Sequence, residues 1–201
     1  MRAVIQRVKR ASVRVHDDVP EEYQYPETGG SHSDTQCASG SGALATSVAR
    51  MPSSSQGLSQ VDVLAEPAGR LVGQIGSGLC VLIGITHGDG PEQVAKMARK
   101  IAQLKLLRAP CGSDDARDRV SVEDSGAPVL LVSQFTLYAD VRKGRKPSWS
   151  HAAPAPVAEP LFDQLVQTLR AHGVEVHTGE FGAMMDVELV NDGPMTIIAE
   201  V

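Results

Sequence analysis

The sequence predicts a single α/β (α+β) domain, mainly antiparallel strands packed with two amphipathic helices. Three observations point there. Short apolar runs are bounded by turn residues, two segments carry apolar residues at three- and four-residue spacing, and no apolar run is long enough to span a membrane. A chain of 201 residues with 42% hydrophobic content can bury one good core. Aromatic residues make up only 3%, so that core must rest on Val, Leu, Ile and Ala.

Residues 3–8 form the first strand candidate and residues 12–15 a short second one. Arg7 lies inside the first. It is either a solvated side chain on a polar face or an anchor for an anionic ligand or a carbonyl-rich loop. From 18 to 60 the character changes, with nine Ser, five Gly and three Pro and little periodic apolar content. Such a segment cannot bury enough surface to offset the entropy of ordering. It is expected to be a flexible low-complexity insertion within the domain, tolerated because loop-closure entropy grows slowly with length. Residues 44–51 are its one helix candidate. His32, Asp34 and Cys37 have no scaffold there to make a metal site, and no metal or cofactor is expected.

Order resumes at Val61. Residues 70–74 lead through Gly76-Ser77-Gly78, a turn, into residues 79–85, an apolar run suited to a central strand buried on both faces. Thr86-His87-Gly88-Asp89 then turns the chain into a helix. Pro91 suits its first turn and Glu92 its positive end, while Val94, Met97, Ala98, Ile101 and Leu104 form the buried stripe. His87 is a lone turn histidine, a structural or solvated residue. The Asp-rich residues 111–125 make a loop or short hairpin with Val120 and Val122 inward, and residues 127–135 make the next strand. A second helix spans about 156–171, with Leu161, Leu165, Val166 and Leu169 buried, Pro160 in its first turn and Gly173 as terminator. Strands follow at 174–177, 185–191 and 195–201. The last two meet at Asn191-Asp192-Gly193-Pro194, a signal for an abrupt reversal, where a proline admits a cis peptide bond.

The net charge of -5 argues against indiscriminate nucleic-acid binding. Yet residues 1–15 hold Arg2, Arg7, Lys9, Arg10 and Arg14 and no acid, and Arg142-Lys143-Gly144-Arg145-Lys146 forms a second basic run that could converge with them. Cys37, Cys80 and Cys111 lack metal-ligand spacing and cannot all pair, and Cys80 in its apolar run fits a buried thiol. Reduced, cytoplasmic surroundings suit these cysteines best.

Ser133-Gln134-Phe135-Thr136 ends an apolar run on polar groups, which need partners in the protein or in a ligand. Neither Ser133 nor Thr136 has a base evident in sequence, and an unactivated hydroxyl is a weak nucleophile. The backbone amides of this stretch could instead serve as oxyanion donors. The residues alone leave the reaction type open.

The chain resembles the bacterial D-aminoacyl-tRNA deacylases, the D-tyrosyl-tRNA deacylase family, over residues 1–16 and 61–201. The matching motifs are Ile5-Gln6-Arg7-Val8 with Ala11-Ser12-Val13, Ser133-Gln134-Phe135-Thr136-Leu137, Gly144 through Pro147-Ser148-Trp149-Ser150, Phe181-Gly182-Ala183-Met184-Met185, and Leu189-Val190-Asn191-Asp192-Gly193-Pro194-Met195-Thr196. Their order along the chain makes the resemblance specific. It implies a barrel-like core of β-sheets and a cytoplasmic homodimer that binds aminoacylated tRNA, neither DNA nor membrane. The implied reaction is hydrolysis of the ester to a D-amino acid, or to mischarged glycine.

The resemblance further implies a cis Gly193-Pro194 bond entering the partner subunit's active site, whose carbonyls reject an L-side chain sterically. It assigns Arg7 to support that loop, Ser133 and Gln134 to line the pocket, and the amides of Phe135 and Thr136 to hold the aminoacyl group. Thr136 is a candidate for catalysis, but assistance by the terminal 2′-hydroxyl of the tRNA is the preferred reading. Arg142, Lys143, Arg145 and Lys146 are expected on acceptor-end phosphates. Compact family members have a short turn in place of residues 18–60. The segment 114–123 carries Arg119-Val120 near the place of a Met-Asn pair common in the family, and Met195 replaces a usual Val. Two rival readings are a non-catalytic tRNA-binding homodimer and an esterase acting on small aminoacyl esters.

Overall fold

A computed structural model describes residues 1–16, 69–142 and 144–201. The expected insertion at 18–60, its helix candidate at 44–51 and Lys143 lie outside the described residues. The two expected strands at 3–8 and 12–15 are one strand, β1 (Arg2–Val15), because nothing between them breaks an extended chain. Its N-terminal half places Ala3 and Ile5 in the core under the helices. Its C-terminal half places Ala11 and Val13 in a second cluster with Ile75, Cys80, Leu130 and Val132. The change of side coincides with an irregularity around Val8 to Arg10.

β1 pairs antiparallel with β2 (Arg70–Ile75), β3 (Gly78–Gly84) and β6 (Met185–Glu200). β3 is buried along nearly its whole length and pairs parallel with β4 (Val129–Ser133), which pairs parallel with β5 (Val176–Thr178). The parallel pairs follow from the helical crossovers that precede β4 and β5, since parallel neighbours cannot be joined by a tight turn. A Cβ at Gly73 of β2 would stand 2.6 Å from the Thr178 carbonyl oxygen of β5, so the ends of the sheet curl together toward a barrel.

The helix α1 (Pro91–Gln103) buries Val94, Met97, Ala98, Ile101 and Ala102, and its Gly90 N–H donates to Gln93 Oε1 at 3.0 Å. The short helix α2 (Val122–Ser125) is capped by Ser121 and buries Val122. Its neighbour Val120 bridges to Leu107, the hairpin-like contact expected of this excursion. The helix α3 (Ala155–Ala171) buries Ala158, Phe162, Leu165, Val166 and Leu169, so Phe162 belongs to the stripe and Leu161 sits at its edge. Pro160 lies inside α3 rather than in its first turn, where it removes one helical hydrogen bond. Gly173 ends the helix region at φ 78°. Cys80 is buried, which pushes its thiol up to about 11, and Cys111 is exposed.

The largest correction concerns β6. The chain does not reverse at Asn191-Asp192-Gly193-Pro194, because β1 offers one continuous antiparallel edge to both halves of β6. Gln6 pairs with Thr196 and Val8 with Asn191, so the intervening residues are pushed out as a bulge. The Gly193-Pro194 peptide bond is cis, and both residues are exposed.

Candidate functional site: a polar turn and a bulge anchored on one strand

The strand expected at 127–135 stops at Ser133, because the chain leaves the sheet at Gln134 (φ -145°, ψ 83°). The Gln134 N–H still donates to the Ile83 carbonyl at 2.8 Å. Phe135–Tyr138 then form a single 3-10 turn, with Leu137 N–H on the Gln134 carbonyl at 3.2 Å and Ala139 N–H on the Thr136 carbonyl at 3.0 Å. The turn lies directly over β3. A Cβ at Gly84 would come within 3.1 Å of Leu137 Cβ and Tyr138 Cδ2. Arg2 at the start of β1 secures it, donating to the Leu137 carbonyl at 2.7 Å and lying 5.0 Å from the Tyr138 ring centre. Burial pushes the Tyr138 phenol up to about 12.

Ser133, Gln134 and Thr136 are all half-buried, and the Gln134 side-chain amide donates to Thr136 Oγ1. Among the described residues, no histidine or carboxylate hydrogen-bonds to the Ser133 or Thr136 hydroxyl. The turn therefore gathers polar groups without activating any of them as a nucleophile.

A strap of residues 140–142 and 144–151 rims this turn. Asp140 and Ser148 exchange backbone hydrogen bonds at 2.7 and 3.1 Å. His87 Nε2 meets the Ser150 carbonyl at 3.1 Å, and the Thr86 hydroxyl donates to the His151 carbonyl at 2.6 Å. His87 thus has a structural contact. Arg142 donates to both oxygens of Asp140 at 2.9 and 2.7 Å, and this pairing holds the Asp140 carboxyl well below the usual range. Arg145 and Lys146 are exposed and make no ion pair among the described residues. Phe135 and Trp149 pack edge to face at 5.9 Å, and Trp149 stays 42% exposed.

The bulge belongs to the middle of β1, opposite Gln6 to Val8. Arg7 is buried, and its Nε donates to the Asp192 carbonyl at 3.0 Å, immediately before Gly193. Its Nη1 and Nη2 grip Asp114 at 2.8 and 3.0 Å, and Nη1 also reaches the Leu106 carbonyl at 3.0 Å. Arg108 holds the Asp192 carboxylate at 3.0 and 3.2 Å. Arg119 Nε adds a contact to Asp114 at 3.0 Å. Hydrogen bonds from Arg7 hold the Asp114 carboxyl far below the usual range, and Arg108 lowers that of Asp192. With its amide nitrogen facing inward, Asn191 donates to the carbonyls of Arg7 (2.8 Å) and Met195 (3.3 Å), closing the neck of the bulge. A cavity of about 250 Å³ lies behind, lined by Arg7, Val8, Gly78, Leu107, Arg108 and Asp192 among others.

The structure thus brings Ser133, Gln134, Phe135 and Thr136 together, and separately joins Arg7 to Asp192 beside Gly193 and Pro194. The two basic segments do not merge as a block. Arg2 goes to the turn and Arg7 to the bulge, while Arg10 faces Glu188 at 3.5 Å. Sequence reasoning missed Asp114, Arg108 and Arg119. The available signal was an arginine within a strand near an Asp- and Arg-rich excursion, since a buried guanidinium requires a counter-charge. No cluster able to hold a metal occurs among the described residues.

A model of the family described as D-Tyr-tRNA(Tyr) deacylase matches residues 56–200. The D-aminoacyl-tRNA deacylase of Kineococcus radiotolerans is 56% identical over 133 residues, 66% of this chain and 88% of that protein. A solved structure of a c-Myc DNA unwinding element binding protein superposes with a TM-score of 0.67 at 30% identity, covering 100% of this chain and 99% of the other. A probable eukaryotic D-amino acid tRNA deacylase gives 0.64 at 15% identity over 100% and 98%, a likeness of fold alone. On the strength of the family model and a relative matched over most of its length, this chain belongs to the D-Tyr-tRNA(Tyr) deacylase family.

Proposed function

We propose that the protein hydrolyses the ester joining a D-amino acid, or mischarged glycine, to the 3′ end of tRNA, and spares L-aminoacyl-tRNA. The observation that carries this reading is the exposed Gly193-Pro194 bulge, tethered through Asp192 to Arg7, in a chain of this family. In this reading the Ser133–Thr136 turn holds the aminoacyl group. The amides of Phe135 and Thr136 stabilise the oxyanion formed when water adds to the ester carbonyl, and the alcohol of the terminal ribose leaves. Thr136 positions the substrate, because its hydroxyl has no base to activate it, and the 2′-hydroxyl of the terminal ribose assists the water. The exposed cations Arg145 and Lys146 and the Phe135–Trp149 ring pair suit a single-stranded nucleotide end, which combines phosphates with stacking bases. No cofactor is required, and the cytoplasm is the compartment that suits such a substrate.

A homodimer completes the site in this reading. Within one protomer Arg2 touches the turn and Arg7 touches the bulge, five residues apart on β1, or roughly 16 Å at ~3.3 Å per residue. A second subunit can bring its own bulge to the turn. The apolar row Ile198, Val4 and Leu82, paired side by side on the sheet with Ile198 70% exposed, offers a surface for it.

The test compares hydrolysis of D-, L- and glycyl-tRNA by the wild type. Preference for the D- and glycyl esters is expected, and equal cleavage of D- and L-esters defeats the proposal. Thr136→Ala is expected to retain turnover within about tenfold of wild type, and a far deeper loss that Thr136→Ser restores would make the hydroxyl a nucleophile. Sedimentation at assay concentration is expected to give a dimer. An active monomer would exclude the cross-subunit site.

A further inference from the structure

We propose that Asp114 is a positioning residue for stereochemical discrimination, acting through Arg7 on the Gly193-Pro194 bulge and braced by Arg108 and Arg119. The inference rests on the deacylase reading and adds to it what sets the position of the rejecting element.

Arg7 has 3% of its side chain exposed, too little for water to satisfy its charge, and its guanidinium takes Asp114 in a two-pronged grip. A guanidinium is planar and rigid, so fixing two of its corners fixes the direction of the third. That third corner, Nε, holds the carbonyl of Asp192, the last peptide before Gly193. The position of the bulge is thus referred through Arg7 to Asp114.

Asp114 lies on a loop without regular structure, so its own position must come from its contacts. Arg119 Nε and Arg108 Nη1 supply them from outside at 3.0 and 3.1 Å. Arg108 also grips the Asp192 carboxylate, which closes a ring Arg7–Asp114–Arg108–Asp192 around the base of the bulge. Side-chain contacts made from a neighbouring loop therefore fix the element on which steric selection depends. Rejection by contact is sensitive to displacements of about 1 Å.

The experiment measures hydrolysis of D- and L-aminoacyl-tRNA by Asp114→Ala, Asp114→Glu, Arg119→Gln and Asp115→Asn in the full chain. The D-to-L rate ratio is expected to fall by about tenfold to a hundredfold in Asp114→Ala. It should be partly recovered in Asp114→Glu, fall by less in Arg119→Gln, and be unchanged in Asp115→Asn. A general loss of stability lowers both rates and leaves their ratio intact, so the ratio separates positioning from folding. Folded Asp114→Ala with the wild-type ratio overturns the proposal, whatever its absolute rates. Should that variant fail to fold, Arg119→Gln decides, because it removes a brace while leaving the Arg7–Asp114 pair, and an unchanged ratio there overturns the proposal equally. A wild type without preference for D-esters refutes the deacylase reading instead.

Discussion

The start and the middle of β1 hold their functional elements by different means. At the Arg2 end, the polar turn is fixed mainly by backbone: Gln134 on Ile83, Leu137 on Gln134, Ala139 on Thr136, and Gly84 leaving room beneath. At Arg7, in mid-strand, the bulge is fixed largely by charged side chains, two carboxylates against three guanidiniums. Backbone fixation is indifferent to most side-chain changes and to pH, and it fails when a close approach is blocked. Ionic fixation fails when a single partner or a single charge is removed.

The strongest test of this contrast is Arg7→Ala. It leaves the carbonyls of Asp192 and Leu106 without that donor and Asp114 with only Arg108 and Arg119, and each acceptor left unsatisfied costs about 1–3 kcal/mol. Chemical denaturation should report that loss together with a fall in D/L selectivity. Gly84→Val should cost about 1–3 kcal/mol by overpacking against Leu137 and Tyr138, and should lower turnover on D-esters without changing the D-to-L ratio. A changed ratio would mean that the turn and the bulge are not independent.

A smaller effect depends on pH. Asp114 and Asp192 have folded values depressed below 3.8, so each contributes stability that is fully present above that value and lost as pH falls through the depressed one. Wild type should therefore lose stability faster than Asp114→Asn under acid titration. Asp140, lowered by Arg142, has the same sign, but its partner Arg142 is exposed, so Asp140→Asn should change the acid titration less. The smallest expected effect is on tRNA affinity. Arg145→Ala and Lys146→Ala should each lower the salt slope of binding by about one, and Arg142→Ala by less, because Asp140 already neutralises it.

Elements with strong periodicity were legible in the sequence. The apolar run of β3, the stripe and Pro91 start of α1, and the stop at Gly173 needed only local rules. The polar ending at Ser133–Thr136 was visible because buried polar groups demand partners, although the 3-10 turn was not, since it depends on Gly84 from another strand. The continuity of β6 was hidden for a similar reason. Gly-Pro is a strong local turn signal, and only pairing with both halves of β1 overrides it. The Asp114 ring was least legible, because it joins residues up to 185 positions apart, two of them on a loop that carries no period.

Trp149 has a practical consequence. It is the one tryptophan in the chain, and it sits half-open against Phe135 at the rim of the polar turn. All indole emission from the unlabelled protein therefore originates beside the candidate site, and deacylated tRNA that stacks there should quench it as it titrates in. Occupancy of the turn can be followed optically, separately from chemistry, in every variant that keeps this residue.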